Sequence, residues 1–244
     1  MTKLAAGARI EDEDLSDADW SEADLTGLVL ARCRIDGARF ASTVLEGARF
    51  ERCRLSRCVF QHADLRETRF EDCHFSSPEA GARFAFARLD GARLVRCDLT
   101  RARFEGCDLY DLGLDACNLT GAAFPRCSFG RTFGRKVERI AADLIDCNFD
   151  LADLSGARLA GCNLARSRFR EADLSGADLE GADLTGADLF QAIVDGAKLA
   201  GADLRGAEVS GLDLRRLATY LDLKINPDQQ FRLLDAMGID VRTE

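Results

Sequence analysis

Between Glu171 and Phe190 the chain reads EADLSGADLEGADLTGADLF, with leucine at 174, 179, 184 and 189, aspartate one place before each and alanine two places before. A period of five belongs to neither the 3.6-residue helix nor the two-residue strand. A fixed internal period outranks local propensity, because it dictates the whole architecture. The beat is general. Large apolar residues keep it from Leu15 and Trp20 to Phe75, from Phe84 to Phe129, and from Leu144 to Leu214. Two places before these centres the side chain is usually small, as at Ala18, Ala38, Ala63, Ala92, Ala152 and Ala202. Positions i and i−2 lie on one side of an extended backbone, so each unit aims one large and one small apolar group inward. Glycine often stands two after the centre, where a turn belongs. One such unit cannot hide its apolar pair alone. Units must turn a corner and stack, which predicts a solenoid.

Composition adds boundaries to this reading. The chain has 244 residues, 47% hydrophobic and 31% charged, enough for one foldable unit with a substantial core. No apolar run approaches the ~20 residues of a membrane span, and MTKLAAGARIEDED lacks the apolar stretch of a secretory leader. The expectation is a cytoplasmic protein with no membrane partner. Net charge is −9, distributed as −6 over residues 1–31, +5 over 32–139 and −8 over 140–244. Most charge runs are simply solvated faces, but blocks of opposite sign also create directional fields.

Ten cysteines, at 33, 53, 58, 73, 97, 107, 117, 127, 147 and 162, all occupy the small i−2 position. A buried free cysteine behaves as a small hydrophobe, so the repeat accounts for all ten without disulfides. There is no CxxC, and His62 and His74 take outward positions. No metal site is expected. No nucleophile elbow, phosphate loop or HExxH is present either, which predicts a protein without catalytic residues or cofactors.

Two interruptions break the pattern. SSPEAGAR, residues 76–83, separates Phe75 from Phe84 by nine residues, so a loop must absorb the mismatch. GRTFGRKVERIAAD, residues 130–143, keeps the phase but loses the motif, and is basic at Arg131, Arg135, Lys136 and Arg139 around Phe133. A tolerated surface excursion explains both. A basic loop with an exposed aromatic is also how proteins grip acidic partners, and the residues alone do not choose. After Leu214 the tail LDLKINPDQQFRLLDAMGIDV changes character: Asn226, Pro227 and Gln229 read as a helix start and Gly238 as its end, with Phe231, Leu234 and Met237 at helical spacing. A short amphipathic helix covering the last coil is predicted, with an apolar stripe that could also join two chains.

The A(D/N)Lxx motif, sustained over roughly residues 8 to 216, resembles the pentapeptide repeat family. The resemblance implies an all-β solenoid, a right-handed quadrilateral β-helix with four units per coil, closed by a short C-terminal α-helix. Residues 1–216 would form the solenoid, with loops at 76–83 and 130–143, and 217–244 the helical cap and dimerisation segment. About ten coils at the ~4.8 Å strand spacing would make a rod on the order of 50 Å long. Residues 20 apart would then stack, Cys33 under Cys53 under Cys73, and Cys107 under Cys127 under Cys147.

Within that family the chain is similar to the Qnr-type quinolone-resistance proteins and their MfpA-like and AlbG-like relatives, which protect DNA gyrase. The tail DLRRL…DQQFRLLDAMGIDV, the short loop followed by a longer one, and CNFDLADLSGARLAGCNL after the second gap carry this likeness. An N-terminal extension of roughly a coil and a half, including EDEDLSDADWSEAD, departs from it. The resemblance implies a non-enzymatic homodimer joined through Phe231, Leu234, Met237 and Ile239. Two rods end to end, on the order of 100 Å, would imitate DNA through an acidic surface at Asp173, Asp178, Asp183, Asp188 and Asp203. Arg131, Phe133, Arg135 and Lys136 of the longer loop would touch gyrase or topoisomerase IV, with no direct nucleic-acid binding. The rival expectation is a scaffold or adaptor without topoisomerase contact.

Overall fold

The turn chemistry of the repeat builds the molecule. In the computed structural model, which describes residues 4–133 and 137–241, the backbone has positive φ two residues after nearly every centre, as at Gly47, Gly176 and Gly201. At many corners the N–H three places after the centre closes the turn onto the centre's carbonyl, as Ala48 does on Leu45 at 2.9 Å and Ala177 on Leu174 at 3.0 Å. Positive φ in the third turn residue is the signature of type II geometry, which glycine adopts without strain. Phe86 (φ 53°) and Leu151 (φ 60°) hold the same conformation without that freedom. The five-residue beat is therefore one short extended stretch plus one tight corner.

Four corners close a coil, and coils stack by parallel pairing. Strands β1 (Arg9–Glu11), β2 (Val29–Ala31), β3 (Arg49–Glu51), β4 (Val59–Gln61), β5 (Arg69–Glu71), β6 (Arg83–Ala85), β7 (Arg93–Val95), β8 (Arg103–Glu105) and β9 (Leu112–Asp115) precede β10 (Gly130–Phe133), β11 (Val137–Ile140) and β12 (Ala142–Ile145). One face orders β1-β2-β3-β5-β7-β9-β12 and another β4-β6-β8. The first continues as single bridges through Asn163, Asp183 and Asp203 to Lys224. The result is a right-handed quadrilateral β-helix. β1 pairs in register with β2, so the N-terminal extension is more of the same solenoid.

Register shows where extra residues go. Partners are normally 20 apart, as Arg49 and Arg69 are. The step from Arg69 to Arg93 is 24 and from Gly113 to Asp143 is 30. Lys198 pairs with Thr219 and Asp203 with Lys224, 21 apart. This last shift follows a single helical turn at Leu214–Arg216. The ladder thus runs past residue 216, with Thr219 and Lys224 as rungs at the start of the segment 217–244.

Inward side chains form columns. Phe40, Phe60, Phe84, Phe104 and Phe124 stack with centroids 4.6, 4.8, 4.6 and 4.9 Å apart. Stacked rings at this spacing contribute dispersion beyond their burial. All ten cysteines are free, nine fully buried and Cys127 half-buried. Cys53 donates to the Leu30 carbonyl at 3.4 Å and Cys73 to that of Phe50 at 3.3 Å, the weak S–H bonds of a packed thiol. Burial pushes the Cys58 and Cys162 thiols up to about 12, which suppresses thiolate chemistry. One expected column is corrected. Cys147 stacks on Cys117, whose N–H meets its sulfur at 3.4 Å, and not on Cys127. The insertion between Ser128 and Asp143 lengthens that coil to 30 residues, so every 20-residue projection across it fails.

Candidate functional site

The longer interruption is an antiparallel hairpin, β10 paired with β11, with Arg131 opposite Arg139 and Phe133 opposite Val137. Ala141 N–H bonds the Phe129 carbonyl at 3.1 Å and closes its base. Ser128 supports the first strand, its hydroxyl donating to the Gly130 carbonyl at 2.8 Å. Arg131, expected as a contact residue, points back to the solenoid. Its guanidinium meets Asp108 at 2.8 Å and Asp90 at 3.0 Å and lies 4.9 Å from the centre of the Tyr110 ring. The hydrogen bonds it donates, to Asp108 first and then Asp90, raise its pKa further above an already high value. Phe133 ends β10, while Arg135 and Lys136 lie outside the described residues. Beside this contact is an open notch of about 210 Å³ lined by Arg66, Glu67, Asp90, Gly91, Tyr110, Asp111 and Arg131. Among the described residues, Asp90 Oδ1 is buried there without a hydrogen-bond partner.

Asp108 is the ordinary aspartate of its repeat, before the centre Leu109, and Asp90 and Tyr110 occupy the variable position after a centre, so no motif singles the three out. The available signal is positional: Asp90, Tyr110 and Gly130 succeed one another at steps of 20, so they stack in one corner column that leads into the hairpin. Nothing in their residue types alone distinguishes them.

The five aspartates assigned to one surface are spread around the rod. Asp183 pairs with Asp203 on one face, while Asp173, Asp178 and Asp188 pair with Ile193, Lys198 and Glu208 on the other three. They form a collar and not a stripe. Each also does local work, since its Oδ1 accepts the N–H two residues on: Ser175 at 2.8 Å, Glu180 at 3.3 Å, Thr185 at 2.9 Å, Phe190 at 3.1 Å and Arg205 at 3.2 Å. Three of them also sit in ion pairs: Asp178 meets Lys198 at 3.4 Å, Asp188 meets Arg170 at 2.5 Å and Asp203 meets Arg205 at 2.6 Å.

At the C-terminal end, α1 (Gln230–Ala236) follows a single 3-10 turn at Pro227–Gln229. Its inward anchor is Leu233, buried, and not Phe231. Gln229 is buried as well, donating to the carbonyls of Leu204 at 2.7 Å and Ala207 at 2.8 Å while accepting from Asn226 N at 2.6 Å. Phe231 is 56% exposed and Ile239 45%, while Leu234 and Met237 are half-buried. Tyr220 (50%) and Leu221 (75%) of the last coil are open too, so this end presents more apolar surface than the cap covers.

Among the described residues no helix is long and apolar enough to cross a membrane, and no group of His, Cys, Asp and Glu could hold a metal ion. His62 and His74 are exposed, and the first stacks on Phe86 at 5.4 Å.

The same architecture recurs in known proteins. Full-length QnrB1, a plasmid-mediated fluoroquinolone resistance protein, superposes with a TM-score of 0.74 at 24% identity, over 95% of this chain and 100% of that one. Two trypsin-treated variants of QnrB1 give 0.71 and 0.68, each at 24% identity over 98% of this chain and covering 100% and 99% of theirs. No curated protein matches the chain by sequence. The family model described as pentapeptide repeats (8 copies) matches over residues 14–47, 38–76, 80–111, 147–186 and 182–216. Matched over most of its length and folded as the repeat demands, the chain belongs to the pentapeptide repeat family.

Proposed function

We propose that this chain is a non-enzymatic DNA mimic that binds a type II topoisomerase, DNA gyrase or topoisomerase IV, and protects it from quinolones or natural gyrase poisons. The observation that carries this reading is the match to full-length QnrB1, which extends from one end of the rod to the other, at a TM-score of 0.74. Two features of the chain support it. The last part, residues 140–244, carries a net charge of −8 wrapped around all four sides of a stiff rod, which a basic DNA-binding saddle attracts electrostatically. The β10–β11 hairpin is a two-stranded sheet separate from the solenoid faces and offers the topoisomerase a distinct contact.

In this mechanism the acidic collar docks the rod where a DNA segment would lie, and the hairpin, through Phe133, Arg135 and Lys136, displaces the poison from the cleavage complex. A supercoiling assay with purified gyrase, with and without ciprofloxacin or albicidin, tests it directly. Parent protein restores supercoiling, and a variant lacking residues 131–139 folds but no longer restores it. If the parent neither inhibits nor protects at micromolar concentration, the chain is a scaffold without topoisomerase contact. If the shortened variant protects equally well, the hairpin has no part in the mechanism.

A further inference from the structure

We infer that Arg131 is a positioning residue, the clamp that fixes the direction in which the β10–β11 hairpin leaves the solenoid, and not part of the surface that meets a partner. The need for a clamp follows from the topology. β10 and β11 pair only with each other, as a separate two-stranded sheet, while every other strand among the described residues belongs to one of the two solenoid faces. An isolated two-stranded hairpin is marginally stable in water. In its register Arg131 stands opposite Arg139, on the strand that leaves the solenoid.

The guanidinium of Arg131 supplies the missing anchorage. It reaches down to Asp108 on the coil below at 2.8 Å and to Asp90 on the coil below that at 3.0 Å, so one side chain ties the first strand of the hairpin to two successive coils. Its plane lies over Tyr110, 4.9 Å from the ring centre, which occupies the same corner column. The Asp90 side chain is only 12% exposed, so this ion pair is more shielded from solvent than most of the rim pairs elsewhere on the rod. A planar, two-pronged cation held by two carboxylates and an aromatic face defines an orientation, which a single lysine contact would not. That the orientation serves a topoisomerase rests on the function proposed above. The clamp itself does not.

The test uses full-length protein and the variants R131Q, R131K and D90N/D108N. Amide hydrogen exchange over residues 130–133 and 137–140 should quicken roughly tenfold in R131Q and in D90N/D108N, with R131K intermediate. Exchange in the solenoid and its thermal midpoint should not change. In the gyrase assay the concentration giving half-protection should rise roughly tenfold for R131Q, with partial rescue by R131K. Unchanged hairpin exchange in both R131Q and D90N/D108N overturns the clamp. Lost protection with unchanged exchange would make Arg131 a contact residue instead. Faster exchange with full protection would leave the clamp intact and refute its role in orienting the hairpin for a partner. A parent that never protects would refute the proposed function, while the exchange data still decide the clamp.

Discussion

Where an aspartate precedes the centre, its carboxylate has a part in folding besides the recognition proposed for it. Its carboxylate accepts the N–H two places on and so shapes the corner, as Asp19 does for Ser21 at 3.0 Å and Asp153 for Ser155 at 3.0 Å. Asparagine does the same at Asn118, Asn148 and Asn163, which shows that the corner needs the acceptor and not the charge. The two roles are therefore separable by mutation. Asp183→Ala should cost about 0.5–1.5 kcal/mol in a denaturant titration, whereas Asp183→Asn should be close to neutral. Converting Asp173, Asp178, Asp183, Asp188 and Asp203 to asparagine together should leave the circular dichroism spectrum unchanged and weaken gyrase binding by about tenfold or more. Full binding by that variant would remove the acidic collar from the mechanism. The same hydrogen bonds set the response to acid. Arg215 holds Asp213 down to about 2. Burial alone would raise Asp98, but the hydroxyls of Ser76 and Thr100 outweigh it and lower the carboxyl. A folded pKa below the ordinary 3.8 means stability that is complete above that value and lost as pH falls through the lowered one. Thermal midpoints should be flat from about pH 7 to 5 and drop between about pH 4 and 2.

Elements are where the sequence is legible within a period and illegible across a gap. The small–large alternation, the corner at glycine and the burial of the cysteines all follow from short-range steric rules, so a few neighbours suffice to place Leu174 or Cys53. They do not suffice for Cys147, because its partner depends on how many residues leave the coil between Ser128 and Asp143, a long-range quantity with no local signature. The hairpin is hidden likewise: its strands show only as a lost motif, and its anchors sit one and two coils away. Helical spacing does not separate Phe231 from Leu233, since it identifies an apolar stripe but not the angle at which a seven-residue helix lands. What sets that angle is Gln229, whose amide bonds two carbonyls of the final coil. Gln229→Ala removes the side-chain partners of the Ala207 carbonyl and the Asn226 N–H, while the Leu204 carbonyl keeps the Ala207 N–H at 2.9 Å, a loss of about 1–3 kcal/mol. Amide exchange over residues 226–241 should then quicken by about tenfold or more while the rungs at Asn163 and Asp183 stay protected. A variant with normal exchange in the tail would show that Leu233 alone holds the cap.

For the whole molecule, the question is what covers the end of the rod. A solenoid must terminate its stack, and here the terminating helix leaves Phe231, Ile239, Tyr220 and Leu221 open to solvent. A second copy related by a twofold axis would cover this surface with itself and extend the rod to on the order of 100 Å, the form required by the proposed DNA mimicry. Electrostatics opposes the pairing, since the terminal segment is itself acidic, with Asp222, Asp228, Asp235, Asp240 and Glu244 against Lys224, Arg232 and Arg242. Apolar burial must outweigh that repulsion, and salt weakens only the repulsion, the screening length being about 10 Å at 0.1 M. The proposed dimer should therefore tighten as salt rises from about 0.05 to 0.5 M, the reverse of an association driven by ion pairs. Phe231→Glu, which places another carboxylate at the junction, should give a monomer in sedimentation equilibrium at every salt concentration without lowering the ladder's stability. The same variant in the gyrase assay separates shape from contact: a monomeric rod with an intact hairpin keeps protection only if half the length is enough. A parent protein that sediments as a monomer at about 100 μM in high salt would leave the apolar end without its second copy, and the two-rod form of the mimicry would fall with it.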